Sequence, residues 1–179
     1  PGTVVVEPTN NSDSGSAEGH YPGYIYVRDV KRAQLQDDRY EVTLVTEQDG
    51  AEKAKMSITG LLEPGSNELY LGRSPSLRSI RVQGRSMDNN DEADKYDMPK
   101  LVLRRDGTNL QSSFVTVMEP YAGERPRIES IDKLQPDVAP EGAVAVRIAY
   151  GDTIDILLSN PHHPDQPVQV GDVTMRGQM

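Results

Sequence analysis

Short runs of β-branched and aliphatic residues, separated by turn-forming residues, are the feature that most constrains the fold of this chain. Arg39–Glu47 (RYEVTLVTE) alternates its side chains as a strand does, and Ala143–Tyr150 and Asp152–Leu158 are comparable runs. No segment carries apolar residues at the i, i+3, i+4, i+7 spacing over the length of a packed helix. The sequence therefore predicts an all-β fold, an antiparallel β-sandwich or layered β-sheets with long polar loops.

Two turn signals predict how neighbouring strands are joined. Gly151-Asp152 predicts a tight connection between the last two of those runs. Asp106-Gly107-Thr108-Asn109 predicts a hairpin between a strand that ends at Arg104-Arg105 and a strand over Leu110–Tyr121. Near the C-terminus, Val168–Met175 reads as one final strand.

The first 22 residues differ from the rest of the chain. We expect residues 1–22 to form an N-terminal strand and a polar loop, and residues 23–179 to form one β-sandwich domain, truncated at both ends. The chain opens at Pro1 without an initiator methionine and closes within a strand pattern at Met179. We therefore interpret it as an internal fragment of a longer protein.

Composition excludes several classes of function. A net charge of −9 argues against nucleic acid as a partner, because phosphate binding needs a surplus of Lys and Arg. The chain has no cysteine, so disulfides and thiolate metal sites are excluded. No apolar run reaches the roughly 20 residues that span a bilayer, and no membrane partner is expected. With no Trp and one Phe, the core is expected to consist mainly of Val, Ile, Leu and Met.

A group of short segments in the second half of the chain resembles the β-rich region of a known enzyme family. The segments are Pro99–Arg105 (PKLVLRR), Ser113-Phe114-Val115, Glu119-Pro120-Tyr121, Ile128–Ile131 (IESI) and Gly151-Asp152-Thr153-Ile154. In this order and spacing they resemble the heparinase II/III-like polysaccharide lyases. The resemblance covers the region from about Tyr24 to Leu158, which would follow the helical toroid of that family.

The resemblance implies a role in polysaccharide degradation. Lyases of this family abstract the C5 proton of a uronic acid and eliminate the 4-linked sugar, with catalytic groups from the helical domain and the start of the β-domain. No segment here matches the family's catalytic histidine motif, so no catalytic residue is assigned. We expect a non-catalytic β-domain fragment of a secreted or cell-surface bacterial enzyme. It would contribute to binding a uronic-acid-containing polysaccharide or to the structure of the catalytic domain.

Arg104 and Arg105 are candidate ligand-binding residues. Adjacent residues on a strand point to opposite faces, and one guanidinium fork matches the geometry of a uronate carboxylate. The alternative is that one arginine pairs internally with Glu119 across the predicted hairpin. Tyr121 lies at the same strand end and is a further candidate, although a Glu-Pro-Tyr sequence also suits a strand terminus whose Tyr covers the core.

Tyr24 and Tyr26 are candidates for stacking on sugar rings. Their spacing places both phenol rings on the same side of one strand, where they would offer a flat surface. Core packing is the alternative interpretation.

Two segments offer metal-ligand chemistry, although no cofactor is required. An acidic loop carries oxygen ligands of the type Ca²⁺ prefers, with a solvated loop as the alternative. Its candidate ligands are Asp88, Asn90, Asp91, Glu92 and Asp94. His162 and His163 lie between two prolines and could bind a transition metal such as zinc, provided a third ligand comes from elsewhere.

Two other functions remain open at the level of sequence. The chain could be an autonomous carbohydrate-binding module that docks an enzyme onto its polymer through Tyr24 and Tyr26. It could also be a structural spacer or interaction domain, which would bind no glycan and would contact the remaining domains of its parent enzyme.

Overall fold

The structure is a computed structural model that describes residues 7–8, 27–48, 51–75 and 97–177 of the 179-residue chain. These residues form twelve β-strands and no helix, and each strand pair is antiparallel. The predicted all-β antiparallel class is confirmed. In the part of the chain that is described, no helix has the length and apolar character needed to cross a membrane.

The strands follow one another in chain order with mostly short connections. They are β1 (Glu7–Pro8), β2 (Arg28–Leu35), β3 (Arg39–Gln48), β4 (Ala51–Leu61), β5 (Ser66–Pro75), β6 (Asp97–Asp106), β7 (Val115–Tyr121), β8 (Ser130–Leu134), β9 (Val144–Tyr150), β10 (Thr153–Ser159), β11 (Val168–Val170) and β12 (Val173–Met175).

The chain divides into two compact units whose segments interleave. The four-stranded unit consists of the described residues within Val4–Gln36 and Gly65–Leu110. The layered unit consists of the described residues within Asp37–Pro64 and Gln111–Met179. Over residues 27–177 the chain therefore passes from one unit to the other three times.

The four-stranded unit is one sheet with the order β1-β2-β5-β6. Alternate residues of a strand face opposite sides of a sheet, and β5 shows this clearly. Leu69 is fully buried and lies on the same side as Leu35 and Ala33, both of which are also buried. Glu68 and Tyr70 point to the other side, which is polar.

The layered unit contains two three-stranded sheets, β3-β4-β7 and β10-β9-β8, and the hairpin β11-β12. Leu61 of the first sheet packs against Ile131, Val146 and Ile148 of the second. The opposite side of the second sheet forms a separate core with the hairpin. The residues buried in that core are Ala145, Leu158 and Val168. The unit is therefore built in layers, with β9 buried on both faces.

The predicted hairpin between β6 and β7 is wrong. β6 ends at Asp106 and pairs with β5, whereas β7 begins at Val115 and pairs with β4 in the other unit. Residues 107–114 connect two sheets instead of closing a two-residue turn. The Asp-Gly signal marks the end of β6, but local turn chemistry does not choose the partner of the next strand.

The predicted turn at Gly151-Asp152 and the predicted final strand have different outcomes. The connection at Gly151-Asp152 is confirmed, because Tyr150 and Thr153 face each other and Gly151 adopts a φ of 53°. The single final strand over Val168–Met175 is wrong. A second turn at Gly171-Asp172, with Gly171 at a φ of 55°, splits that segment into β11 and β12. The predicted strand in Gly2–Val6 and the predicted boundary after residue 22 lie outside the described residues.

Candidate functional site

The polar side of the four-stranded sheet brings together side chains from three neighbouring strands. In the strand register Glu68 lies between Gln34 of β2 and Arg104 of β6, and Tyr70 faces Arg32. Because the pairing has no irregularity between these positions, all five side chains leave the sheet on the same side. Arg32, Gln34, Glu68, Tyr70 and Arg104 form the polar face.

The Glu68 carboxylate lies at the centre of the polar face. Its side chain is only 11% exposed, so both of its oxygens need partners. The Tyr70 hydroxyl donates a hydrogen bond of 2.7 Å to Oε2, and the Arg32 guanidinium donates to Oε1. Arg104 Nη1 lies 3.7 Å from Oε2. A buried negative charge is thus compensated from all three strands.

Hydrogen bonding and burial shift the pKa values of Glu68 and Tyr70 in opposite directions. The hydrogen bond from Tyr70 and the contacts with Arg32 lower the pKa of the Glu68 carboxyl, although burial opposes this shift. Burial, and then the hydrogen bond to Glu68, raise the pKa of the Tyr70 hydroxyl. At neutral pH Glu68 is therefore ionised and Tyr70 keeps its proton.

Arg32 lies over the aromatic ring of Tyr70 as well as beside Glu68. Its guanidinium carbon is 5.9 Å from the ring centroid, which is within the range of a cation–π contact. The hydrogen bond to Glu68 raises the pKa of Arg32. Half of the Arg32 side chain remains exposed. The ring of Tyr70 is therefore partly covered by Arg32 and is not an open stacking surface.

Arg104 is the most exposed cation of the polar face. Its side chain is 58% exposed, and its guanidinium lies 3.6 Å from Asp106 and 3.7 Å from Glu68. These ion-pair distances are longer than a hydrogen bond of about 2.9 Å. Most of the guanidinium thus faces solvent beside a carboxylate that is already compensated by Arg32 and Tyr70.

A bulge in β2 closes one end of the polar face. The register of β2 against β5 shifts between Arg28 and Lys31, and Asp29 within that interval has a φ of 51°. A Cβ on Gly72 would lie 2.5 Å from Val27 Cγ1 and 3.1 Å from the Arg28 carbonyl oxygen. Gly72 shares the side of Glu68 and Tyr70, so the bulge lies over the end of this surface.

Positive and negative side chains balance on this side of the sheet. Between Ser66 and Gly72 the strands β2, β5 and β6 place three cationic and two acidic side chains there. These are Arg32, Lys100, Arg104, Glu68 and Asp106. Glu7 of β1 faces Arg32 in the same sheet, so the formal charges sum to zero. A surface without excess negative charge, on a chain of net charge −9, suits an anionic ligand better than the chain as a whole does.

The structure places the two predicted arginines on opposite sides of β6. Arg104 faces Glu68, and Arg105 faces Asn67, which is buried on the other side. The predicted internal pair with Glu119 is wrong. Glu119 instead accepts hydrogen bonds from the backbone N–H groups of Arg127 and Ile128, at 2.6 and 3.0 Å.

The other predicted site residues are separated from Arg104 or lie outside the described residues. Tyr121 ends β7 in the layered unit, where it faces Lys55 and is half-buried. The remaining candidates lie in segments that are not described, and they stay predictions. They are Tyr24, Tyr26, Asp88, Asn90, Asp91, Glu92 and Asp94.

His162 and His163 lie in the loop between β10 and β11. The described ranges contain no group of three or more His, Cys, Asp or Glu side chains that could hold a metal ion. The third ligand that a zinc site would require is therefore not found among the residues of these ranges.

Sequence reasoning missed Arg32 and Glu68. Glu68-Leu69-Tyr70 does carry the alternating pattern that predicts one polar and one apolar side. The pattern does not say that β2 and β6 lie beside β5, because 36 residues separate Arg32 from Glu68 and also Glu68 from Arg104. Long-range strand pairing creates this site.

The chain was compared with protein-family models, curated proteins and solved structures, and none of them matches.

Proposed function

We propose that this chain is a non-catalytic β-domain of a secreted, lyase-type polysaccharide-degrading enzyme, and that its polar face binds an acidic glycan. The observation that carries the binding proposal is the position of Arg104, exposed beside the compensated Glu68. The enzyme class and the secreted location rest on the resemblance to heparinase II/III-like lyases described above.

The chemistry of the polar face favours binding a carboxylate. A guanidinium offers several N–H donors in a planar fork that fits the two oxygens of a uronate. Arg32 and Arg104 are both half-exposed on strands either side of β5, so a glycan chain could contact either one. Gln34 and Tyr70 add polar groups that suit sugar hydroxyls.

The same chemistry argues against a catalytic role for this surface. Elimination at a uronic acid needs a base that takes the C5 proton, and an effective base has a pKa close to the working pH. The pKa of Glu68 is lowered and the pKa of Tyr70 is raised, so both move away from that condition. This supports binding without catalysis.

Replacing Arg104 by Gln is expected to weaken binding to acidic polysaccharides about tenfold or more, because a hydrogen bond to a charged group contributes about 1.5–3 kcal/mol. The measurement is affinity gel electrophoresis against alginate, polygalacturonate, hyaluronan and heparin. Arg125→Gln is the matched control, since it removes the same charge from an exposed position in the layered unit. Added salt is expected to weaken the interaction of the unmodified chain.

Retardation by none of the four acidic polymers would contradict the proposal. If Arg104→Gln and Arg125→Gln weaken binding equally, the loss is due to the change in net charge and not to the position of Arg104. That result would also contradict the proposal. Retardation that survives Arg104→Gln but is lost in the Tyr24→Ala, Tyr26→Ala double variant would instead favour the autonomous carbohydrate-binding module.

A further inference from the structure

A groove opens in the layered unit between strands of its two sheets. One side is β7, an outer strand of the sheet β3-β4-β7, and the other is β10, an outer strand of the sheet β10-β9-β8. Its volume is about 1110 Å³. The apolar side chains that line it include Val115, Val117, Val144, Val146 and Leu157. The groove lies wholly within one unit.

Phe114 is the most prominent side chain of this groove. It is the only phenylalanine of the chain, and 57% of it is exposed. It immediately precedes β7, whose neighbouring residue Val115 packs in the core below. Leu157 of β10 is also 40% exposed. Large apolar side chains exposed together in a groove are a typical feature of binding sites.

The rim of the groove supplies several kinds of polar group. It contains the side chains of Gln111, Ser112, Ser113, Glu141, His162 and His163. The imidazole of His162 lies close to Gly142, since a Cβ on this glycine would be 2.9 Å from its Cδ2. Amide, hydroxyl and imidazole groups donate and accept hydrogen bonds as sugar hydroxyls require.

The ionic groups of the groove disfavour an anionic ligand. Lys133 forms an ion pair with Glu63, so its charge is compensated within the groove. Glu141 adds one further negative charge, so the carboxylate and ammonium groups of the lining residues sum to −1. An uncharged ligand avoids repulsion by this charge, and it is the ligand we expect in the groove.

We propose that this groove binds an uncharged stretch of polysaccharide, with the Phe114 ring against the C–H face of a pyranose. An aromatic face attracts such polarised hydrogens through its negative quadrupole. The ligand class and the unit differ from those of the polar face, so the proposal goes beyond the proposed function.

An extended peptide strand is a weaker candidate for the same groove. Along the outer edge of β7, Pro120 has no N–H to donate to an added strand. The glycan is thus the occupant that the groove chemistry favours.

Affinity gel electrophoresis of the full chain against dextran, galactomannan, xyloglucan and mixed-linkage β-glucan tests the inference. At least one of these polymers is expected to retard the unmodified chain, and Phe114→Ala is expected to weaken that interaction about tenfold. Met118→Ala is the matched control, because Met118 is 62% exposed on β7, the strand that follows Phe114, but does not line the groove. Arg104→Gln is expected to leave binding to the neutral polymer unchanged.

The inference is overturned if no neutral polymer retards the chain, or if Phe114→Ala binds as tightly as the unmodified chain. Equal losses in Phe114→Ala and Met118→Ala would also overturn it, since they would place the effect outside the groove. Thermal unfolding of each variant checks that the fold is retained. Acidic polymers bound in an Arg104-dependent manner would leave the proposed function standing even when the groove inference fails.

Discussion

At the scale of single residues, the ring of Tyr40 on β3 packs over Gly60, a glycine of β4. They face each other on β3 and β4, and Tyr40 is only 2% exposed. A Cβ on Gly60 would lie 2.0 Å from Cε1 of Tyr40 and 2.2 Å from Cζ. The phenol ring therefore covers the glycine, and its hydroxyl lies 3.5 Å from Thr116 Oγ1.

Gly60→Ala is accordingly expected to destabilise the protein by about 1–3 kcal/mol, because the added methyl group overpacks against the Tyr40 ring. Urea unfolding measures the change. Gly107→Ala is the control, since its Cβ would lie 3.3 Å from the end of the flexible Leu110 side chain. Similar unfolding midpoints for the two variants would contradict this account of Gly60.

At the scale of elements, β9 is the strand on which the layered unit depends. Its residues Val144–Tyr150 read VAVRIAY, an almost continuous apolar run, and such runs are typical of strands buried on both faces. Val146 and Ile148 enter the core with the sheet β3-β4-β7, while Ala145 enters the core with β11 and β12. One short strand therefore joins three layers.

Ile148→Ala is expected to lower the free energy of unfolding by about 2–5 kcal/mol, because it leaves a cavity between two sheets. Ile154→Ala on the adjacent strand β10 makes the same chemical change at a residue that is 56% exposed, and its effect is expected to stay within about 0.5 kcal/mol. Denaturant unfolding of both variants measures the difference. A loss as large at Ile154 as at Ile148 would refute the central role of β9.

Strand pairing shows which features of the fold could be predicted from the sequence and which could not. The β9–β10 hairpin is readable because two apolar runs meet at Gly151-Asp152, and the whole signal is local. The partner of Arg104 is not readable in this way. The alternative prediction paired one of Arg104 and Arg105 with Glu119 on the next strand, but the neighbour of β6 is β5, and Glu68 is 36 residues away. Turn chemistry fixes where a strand ends, and core packing chooses its neighbour.

At the scale of the whole molecule, the polar face makes stability depend on pH in both the acid and the alkaline range. The pKa of Glu68 is lowered in the folded state, so its contribution to stability is present above its unfolded pKa and is lost as pH falls through the folded value. The pKa of Tyr70 is raised, so its contribution is present below its unfolded pKa and is lost as pH rises through the folded value.

Stability measured by urea unfolding is therefore expected to decrease in the acid range and again in the alkaline range above the usual Tyr pKa of about 10. Tyr70→Phe is expected to flatten the alkaline decrease, because it removes the hydroxyl that titrates there. Tyr150→Phe is a useful comparison, since Tyr150 also donates a hydrogen bond to a carboxylate, that of Asp155, but lies in the layered unit. An alkaline profile unchanged by Tyr70→Phe would contradict the assignment.

The chain crosses between its two units three times, and this affects how the gene can evolve. No continuous stretch of the gene encodes either unit, because Asp37–Pro64 of the layered unit interrupts the four-stranded unit and Gly65–Leu110 interrupts the layered one. A recombination event that exchanges one segment of DNA therefore cannot transfer a whole unit without part of the other. We expect the two units to be acquired, duplicated or lost together.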